Sequence, residues 1–179
     1  MTTLITERLI TERLSLRPVT VADMPDLVQL WADADFTRFI IGRGLSEEEV
    51  WLRCLRDIGH WQALGHGNWT IRETATGDYV GSVGVLDYRR DMSPAFDAPE
   101  LGWGLAPRFQ GKGLAFEAVQ AALEWADAEM GAPRTVCMIS PENLASIRLA
   151  ERLGYRPYAD TTYKDAQVTL FQRPNARTT

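Results

Sequence analysis

The stretch PELGWGLAPRFQGKGLAFEAVQAALEWA, Pro99 to Ala126, decides how the rest of the chain is read. Glu100 to Leu105 alternates: Leu101, Trp103 and Leu105 point to one face, Glu100, Gly102 and Gly104 to the other. The first face is large and apolar and belongs to a core. The second carries one acid and two missing side chains, a pattern that weakens a strand unless something approaches its backbone closely. Pro107 ends the strand, Arg108 to Gly113 forms a loop with two glycines, and Leu114 opens an amphipathic helix. A helix start exposes unpaired backbone N–H groups and the positive end of the dipole. Glycines there let an anion, typically a phosphate, lie against those groups, and Lys112 adds a cation.

Two familiar phosphate loops are excluded. A Walker loop needs Gly five residues before its Gly-Lys pair and Ser or Thr after the Lys; those positions hold Ala106 and Gly113. A dinucleotide fingerprint starting at Gly102 and Gly104 meets Pro107 at its third glycine. What fits is R-x-x-G-x-G, Arg108 to Gly113, between an apolar strand and a helix. This resembles the acetyl-CoA pyrophosphate loop of the GNAT superfamily of N-acetyltransferases. The resemblance implies that Trp103, Gly104, Leu105, Arg108, Gln110, Gly111, Lys112, Gly113, Leu114 and Ala115 contact the co-substrate. The backbone N–H groups from Gln110 to Ala115 would hold the pyrophosphate.

The remainder reads as one domain of residues 1–179, with the chain from Pro174 onward a candidate disordered tail. A hydrophobic content of 45% with 24% charged residues is ordinary for a soluble protein. The net charge of −5 argues against general nucleic-acid binding and suits a cationic acceptor. Two cysteines, Cys54 and Cys137, make neither a disulfide framework nor a zinc set, and no metal site is expected. No uncharged apolar run approaches the ~20 residues that span a bilayer, and no signal peptide precedes the charged start, so a cytoplasmic protein without a membrane partner is expected.

In chain order, Ile-Thr-Glu-Arg-Leu occurs twice, at 5–9 and 10–14, and Arg13 to Pro18 alternates as a first strand. Thr20 caps a helix Val21–Ala32, and Ser46 with Glu49 forms a capping box for a second, with Val50, Leu52, Cys54, Leu55 and Ile58 as apolar positions. The connection Asp33–Leu45, with Phe36, Phe39, Ile40 and Ile41, lines a substrate pocket or packs as a surface loop. Trp69–Arg72 and Tyr79–Leu86 form a hairpin through Thr76-Gly77-Asp78. After the central helix, Thr135–Ile139 is β-rich and Pro141-Glu142-Asn143 begins a helix closed by Gly154. Tyr155–Ala159 and Val168–Arg173 pair through a turn near Lys164-Asp165. The order β-α-α-β-β-β-α-β-α-β-β resembles the GNAT fold. That fold implies an α/β protein with a mixed, mostly antiparallel central sheet flanked by helices and a V-shaped splay between the fourth and fifth strands. Thr11 to Pro18, Glu100 to Trp103, and Asn143 to Ser146 with Leu153-Gly154-Tyr155 look like the branch that acetylates ribosomal-protein N-termini. That branch also includes enzymes acting on small amines and antibiotics.

The resemblance assigns Glu100 as general base, directly or through water, and a strand bulge at Gly102–Leu105 as the source of a backbone N–H for the thioester oxygen. It assigns Asn143 to the pantetheine arm and Ser146 to protonation of the leaving thiolate. Asn and Ser are also favoured as helix caps. The Tyr that many GNAT enzymes carry four residues after that Ser is replaced by Ala150, leaving Tyr155, Tyr158 and Tyr163 as substitutes. His60 and His66 make no metal pattern and read as structural or exposed. Trp31, Trp61 and Trp69 are candidates for the acceptor wall. The expectation is therefore an acetyl-CoA-dependent N-acetyltransferase acting on a primary amine, the favoured acceptor being a protein N-terminal amine. The alternatives are an acetyltransferase of a small-molecule amine or antibiotic, and a non-catalytic acyl-CoA-binding regulatory domain, which the absence of Tyr at Ala150 favours and Glu100 with Ser146 opposes. A homodimer is left open.

Overall fold

The computed structural model describes residues 8–178; the first three residues of the Ile5–Leu9 repeat unit, and Thr179, lie outside them. The elements in order are β1 (Leu9–Ile10), β2 (Leu14–Pro18), α1 (Met24–Ala32), α2 (Ala34–Thr37), α3 (Glu47–Leu64), β3 (Asn68–Glu73), β4 (Tyr79–Leu86), β5 (Glu100–Leu105), α4 (Leu114–Glu129), β6 (Arg134–Ile139), α5 (Leu144–Arg152), β7 (Arg156–Tyr163) and β8 (Ala166–Pro174). They build one eight-stranded sheet in the order β1-β2-β3-β4-β5-β6-β8-β7. Every neighbouring pair is antiparallel except β5 and β6. The expected α/β architecture is present. The splay between the expected fourth and fifth strands falls between β5 and β6, since the two-residue β1 precedes them.

The alternation in β5 sorts as its sequence demands. Leu101 and Leu105 are buried and Trp103 packs beside them, under the face that α4 covers with Leu114, Ala118, Val119, Ala122 and Leu123. Close approach of β4 to β5 needs Gly81: a Cβ there would lie 2.2 Å from the Gly104 carbonyl oxygen. Trp61 of α3, Trp69 of β3 and Trp125 of α4 meet edge to face at 5.0–6.4 Å, joining both helices to the sheet. The Ser46 capping box forms as expected, with Glu49 N–H donating to Ser46 Oγ and Ser46 N–H to Glu49 Oε2.

Three expectations are corrected. Leu52 and Leu55 are exposed, because the buried stripe of α3 runs through Val50, Cys54 and Trp61 and leaves Leu52 on the opposite face. The helix after Thr20 begins with a 3₁₀ turn, Val21–Asp23, before α1. Of the described residues after Pro174, Asn175 is anchored rather than loose: it is buried, and its amide donates to the carbonyls of Asp127 and Ala132.

Candidate active site

The site follows from a failure of pairing. β5 and β6 pair at a single position, Glu100 opposite Val136, and separate beyond it. On its other side β5 pairs with β4 without a register shift, from Leu86–Glu100 to Gly81–Leu105. The bulge expected at Gly102–Leu105 is therefore absent. The bond from Ala106 N–H to Val80 O sets the phase of this antiparallel ladder. Gly104, Gly102 and Glu100 direct their backbone groups at β4, and Trp103 and Leu105 direct theirs into the splay. Divergence of two parallel strands frees the backbone groups that a bulge was expected to free. The Leu105 carbonyl is taken by the Gln110 side-chain amide at 3.1 Å.

At one end of the opening lies the loop. Pro107–Phe109 forms a 3₁₀ turn with Phe109 buried, and Arg108 and Lys112 lie over the Phe109 ring. Gly111 and Gly113 have φ of +74° and +78°, a region that only glycine enters freely, and Gly113 is the N-cap of α4. The first bond of that helix runs from Glu117 N–H to Gly113 O, so the N–H groups of Leu114, Ala115 and Phe116 lack acceptors four residues back. This is the geometry a phosphate-bearing co-substrate requires. A staple not visible in the sequence holds the loop: Arg13 donates to the Lys112 carbonyl at 2.9 Å and pairs with Glu117 at 2.7 Å. Burial pushes the Glu117 carboxyl up, but hydrogen bonds from Thr11 and Arg13 outweigh it and hold it below its usual value.

A cavity of about 1000 Å³ opens along the splay, lined by β5 from Glu100 to Gly104, by Asn143 and Ser146, and by the chain from Arg38 to Arg43. The connection between α1 and α3 is thus a cavity wall. Trp31 and Trp69 line the cavity and Trp61 does not. Glu100 reaches it as half of an ion pair: Arg90 Nε and Nη2 each donate to one carboxylate oxygen at 2.7 Å. Arg90 Nη1 also donates to Tyr163 Oη at 3.2 Å. Arg90 lies on the polar connection between β4 and β5, and nothing in its local sequence singles it out. Asn143 is the N-cap of α5, its Oδ1 accepting from Ser146 N–H at 3.2 Å. The two residues expected on one helical face are therefore a cap and the third residue of the helix. The Ser146 hydroxyl and the Asn143 amide nitrogen have no hydrogen-bond partner among the described residues.

The three substitute tyrosines separate. Tyr155 is buried, bonded to Thr135 at 2.8 Å, and burial pushes its phenol far up. Tyr158 lies outside the cavity beside Arg134, and Tyr163 lines it. A fourth, Tyr88, also lines the cavity, its hydroxyl donating to Asp57 and accepting from Arg56 and Asn68. Both histidines are buried and structural. His60 Nδ1 meets the His66 carbonyl at 2.6 Å while its Nε2 accepts from Asp87 N–H, a pairing that requires the neutral Nδ1–H tautomer. Burial holds His66 below its usual value. Among the described residues no three His, Cys, Asp or Glu side chains gather at metal-binding range.

Comparison with known proteins agrees with this fold. The family model of the acetyltransferase (GNAT) domain matches residues 13–156. A solved GNAT-family acetyltransferase from Bordetella pertussis is similar, with 36% identity, 93% of this chain and 99% of that one covered, and a TM-score of 0.83. An uncharacterized N-acetyltransferase, p20, of Bacillus licheniformis is 27% identical over 84% of this chain and 83% of its own. The [ribosomal protein uS5]-alanine N-acetyltransferase of Escherichia coli is 33% identical over 101 residues, 52% of each chain.

Proposed function

This chain belongs to the GNAT acetyltransferase family, and from that premise we propose that it acetylates the N-terminal amine of a protein at the splay between β5 and β6. It is an acetyl-CoA-dependent N-acetyltransferase. The acceptor is the proposed part. It is supported by the stretches shared with the ribosomal-protein branch and by the relative acting on ribosomal protein uS5. The observation that carries the reading is the single β5–β6 pairing, which turns two backbone N–H groups into an opening beside both the glycine loop and the Glu100–Ser146 cavity.

In this reading the whole sequence is one domain, working in the cytoplasm, and its residues divide the work. The N–H groups from Gly111 to Ala115 take the pyrophosphate, with Arg108 and Lys112 adding charge; the Gln110 N–H expected among them is already bonded to the Pro107 carbonyl at 3.1 Å. Asn143 holds the pantetheine arm through the amide nitrogen its capping role leaves free. The backbone N–H of Trp103 or Leu105, aimed into the splay, stabilises the oxygen of the thioester as charge develops on it. Glu100 accepts the proton of the attacking amine through water. The Arg90 fork occupies one acceptor direction on each carboxylate oxygen, and a carboxylate has about four. An N-terminal amine, with a pKa of ~7.7–8.0 against ~10.4 for Lys, needs only such modest help. Ser146 donates a hydrogen bond to the departing thiolate. Holding two reactants in line supplies ~7–11 kcal/mol by itself, so no stronger acid or base is required.

Release of free thiol from acetyl-CoA, followed across a panel of N-terminal peptides, polyamines and small amines, tests the acceptor. Turnover of peptides with a free N-terminus and not of their N-blocked forms is expected. Turnover confined to small amines would transfer the assignment to the small-molecule class.

A further inference from the structure

Five arginines line the cavity, and three of them are matched by acids. Arg43 pairs with Glu49 at 2.6 Å, Arg56 with Asp57 at 2.8 Å and Arg90 with Glu100 at 2.7 Å. Arg38 and Arg53 have no ion pair or hydrogen bond among the described residues. Arg38 is exposed at the rim. Arg53 is half-buried on α3, with the centre of its guanidinium 4.3 Å from the centroid of the Trp31 ring. Stacking covers one face of a guanidinium but leaves the N–H donors, which radiate in its plane, unused. The acid one turn further along the helix acts on it only through space and makes no hydrogen bond to it: Asp57 is taken by Arg56, Asn68 and Tyr88. A cation drawn from water without a carboxylate partner is unfavourable unless a ligand supplies one. Burial, with Arg56 and Arg90 nearby, pushes the Arg53 guanidinium down against the opposing pull of Asp57 and Tyr88, which sets it in the same electrostatic neighbourhood as the pair holding Glu100.

We propose that Arg53 is the recognition residue for a carboxylate on the acceptor, so that the enzyme acetylates amines that carry an acid rather than polyamines. The inference rests on the acetyl-transfer reading above and deepens it by naming the acceptor's second functional group. Trp31 holds the guanidinium plane, and the free donor edge takes the carboxylate in a fork, a geometry Lys cannot reproduce. The acidic group comes either from an Asp or Glu near the start of a peptide or from a small amino acid. Both present the same chemistry to Arg53.

The test uses isosteric pairs differing only in charge: the peptide amides Ala-Asp-Ala-Ala and Ala-Asn-Ala-Ala, and 4-aminobutyrate with 4-aminobutyramide. Thiol release gives kcat/KM for each, and calorimetry on the CoA-loaded enzyme gives affinity without turnover. The carboxylate member of at least one pair is expected to be preferred by about ten- to a hundredfold, the range of one charge-assisted contact. The pair that shows the preference identifies the source of the acid. Arg53→Gln should abolish the preference by lowering only the carboxylate member, Arg53→Lys should restore part of it, and Arg38→Gln should leave it intact. Equal kcat/KM and equal affinity within both pairs would overturn the proposal, as would an Arg53→Gln loss shared by acid and amide. Turnover without preference sinks the carboxylate site alone. Preference in binding without turnover of any amine sinks the acetyl-transfer reading and keeps the site.

Discussion

Replacing Arg90 with Met asks how much of the splay depends on one ion pair. The Glu100 carboxylate is 6% exposed and Arg90 15%, so removal of the guanidinium leaves a charged group with little access to water. Breaking a buried pair from one side costs about 3–5 kcal/mol, because the survivor is left desolvated. In a protein of this size that lowers Tm by roughly 10 °C. The lost bond to Tyr163 contributes about 1 kcal/mol, which Tyr163→Phe measures separately. Removing both charges in Arg90→Met/Glu100→Met removes the unpaired carboxylate too, so the double variant should recover to within about 1–2 kcal/mol of the parent. Urea unfolding of the four members of this cycle gives the coupling directly, provided the m-values agree. A loss below about 1 kcal/mol for Arg90→Met, or a double variant equal to the sum of the singles, would refute the view that Glu100 depends on Arg90.

Gly113→Val forces a β-branched residue to φ +78°, where L side chains are strained; a folded variant should bind CoA at least tenfold more weakly by calorimetry, and unchanged affinity would remove the loop from the binding site. Ser146→Ala should slow saturating kcat by about 10–100-fold with CoA affinity nearly unchanged, whereas Asn143→Ala should weaken CoA, spare kcat and cost about 1 kcal/mol of stability through the lost cap. Should Ser146→Ala keep full kcat while Tyr163→Phe loses it, the acid is the tyrosine. Glu100→Gln should lower kcat by ~10²–10⁴-fold at neutral pH and recover partly at alkaline pH, where the amine is already neutral; a pH–rate profile of unaltered shape excludes Glu100 as base. Burial holds His66 below its usual 6.5 in the folded protein, so its neutral form is shared by both states above about pH 6.5. As the pH falls below that value the unfolded chain takes up a proton the folded one resists, and stability declines. His66→Gln should flatten the decline in urea titrations between pH 7 and 5, and an unaltered slope would count against the histidine as its source.

The parts of the fold legible in the sequence are those written in local spacing. Alternation gave β5, the glycines at 111 and 113 gave the loop, Ser46 with Glu49 gave the start of α3, and Lys164-Asp165, both at positive φ, gave the last hairpin. What stayed hidden depends on residues far apart in the chain. Arg90 and Glu100 are joined across the end of the β4–β5 connection, Arg13 reaches Lys112 from the bend before β2, and the solitude of Arg53 shows only when the partners of Arg43, Arg56 and Arg90 are known. The glycines of β5 announced a special backbone but not its kind: they permit a close-seated side chain as well as a bulge, and the structure uses the former, a Cβ at Gly104 falling 2.8 Å from the Phe36 ring. Asn143 was ambiguous for a physical reason, since one amide can cap a helix with its oxygen and leave its nitrogen for a ligand.

The placement of β8 between β6 and β7 has a consequence for how the chain acquires its shape during synthesis. Among the described residues β7 pairs with nothing but β8, and β6 owes to β8 all its pairing beyond the one position shared with β5. On a ribosome, strands β1 to β5 can close as a self-sufficient meander with α4 against it, while β6 and α5 wait beside an open edge. Only when residues 166–174 emerge does that wing of the sheet zip shut, locked by Arg173 on Asp127 and by Asn175 on the turn after α4. The V between β5 and β6 is thus a seam between a half that can pair before β8 emerges and a half that waits for it. A nascent chain stalled before β8 would hold a glycine loop with one wall of the cleft and no second wall to hold against it.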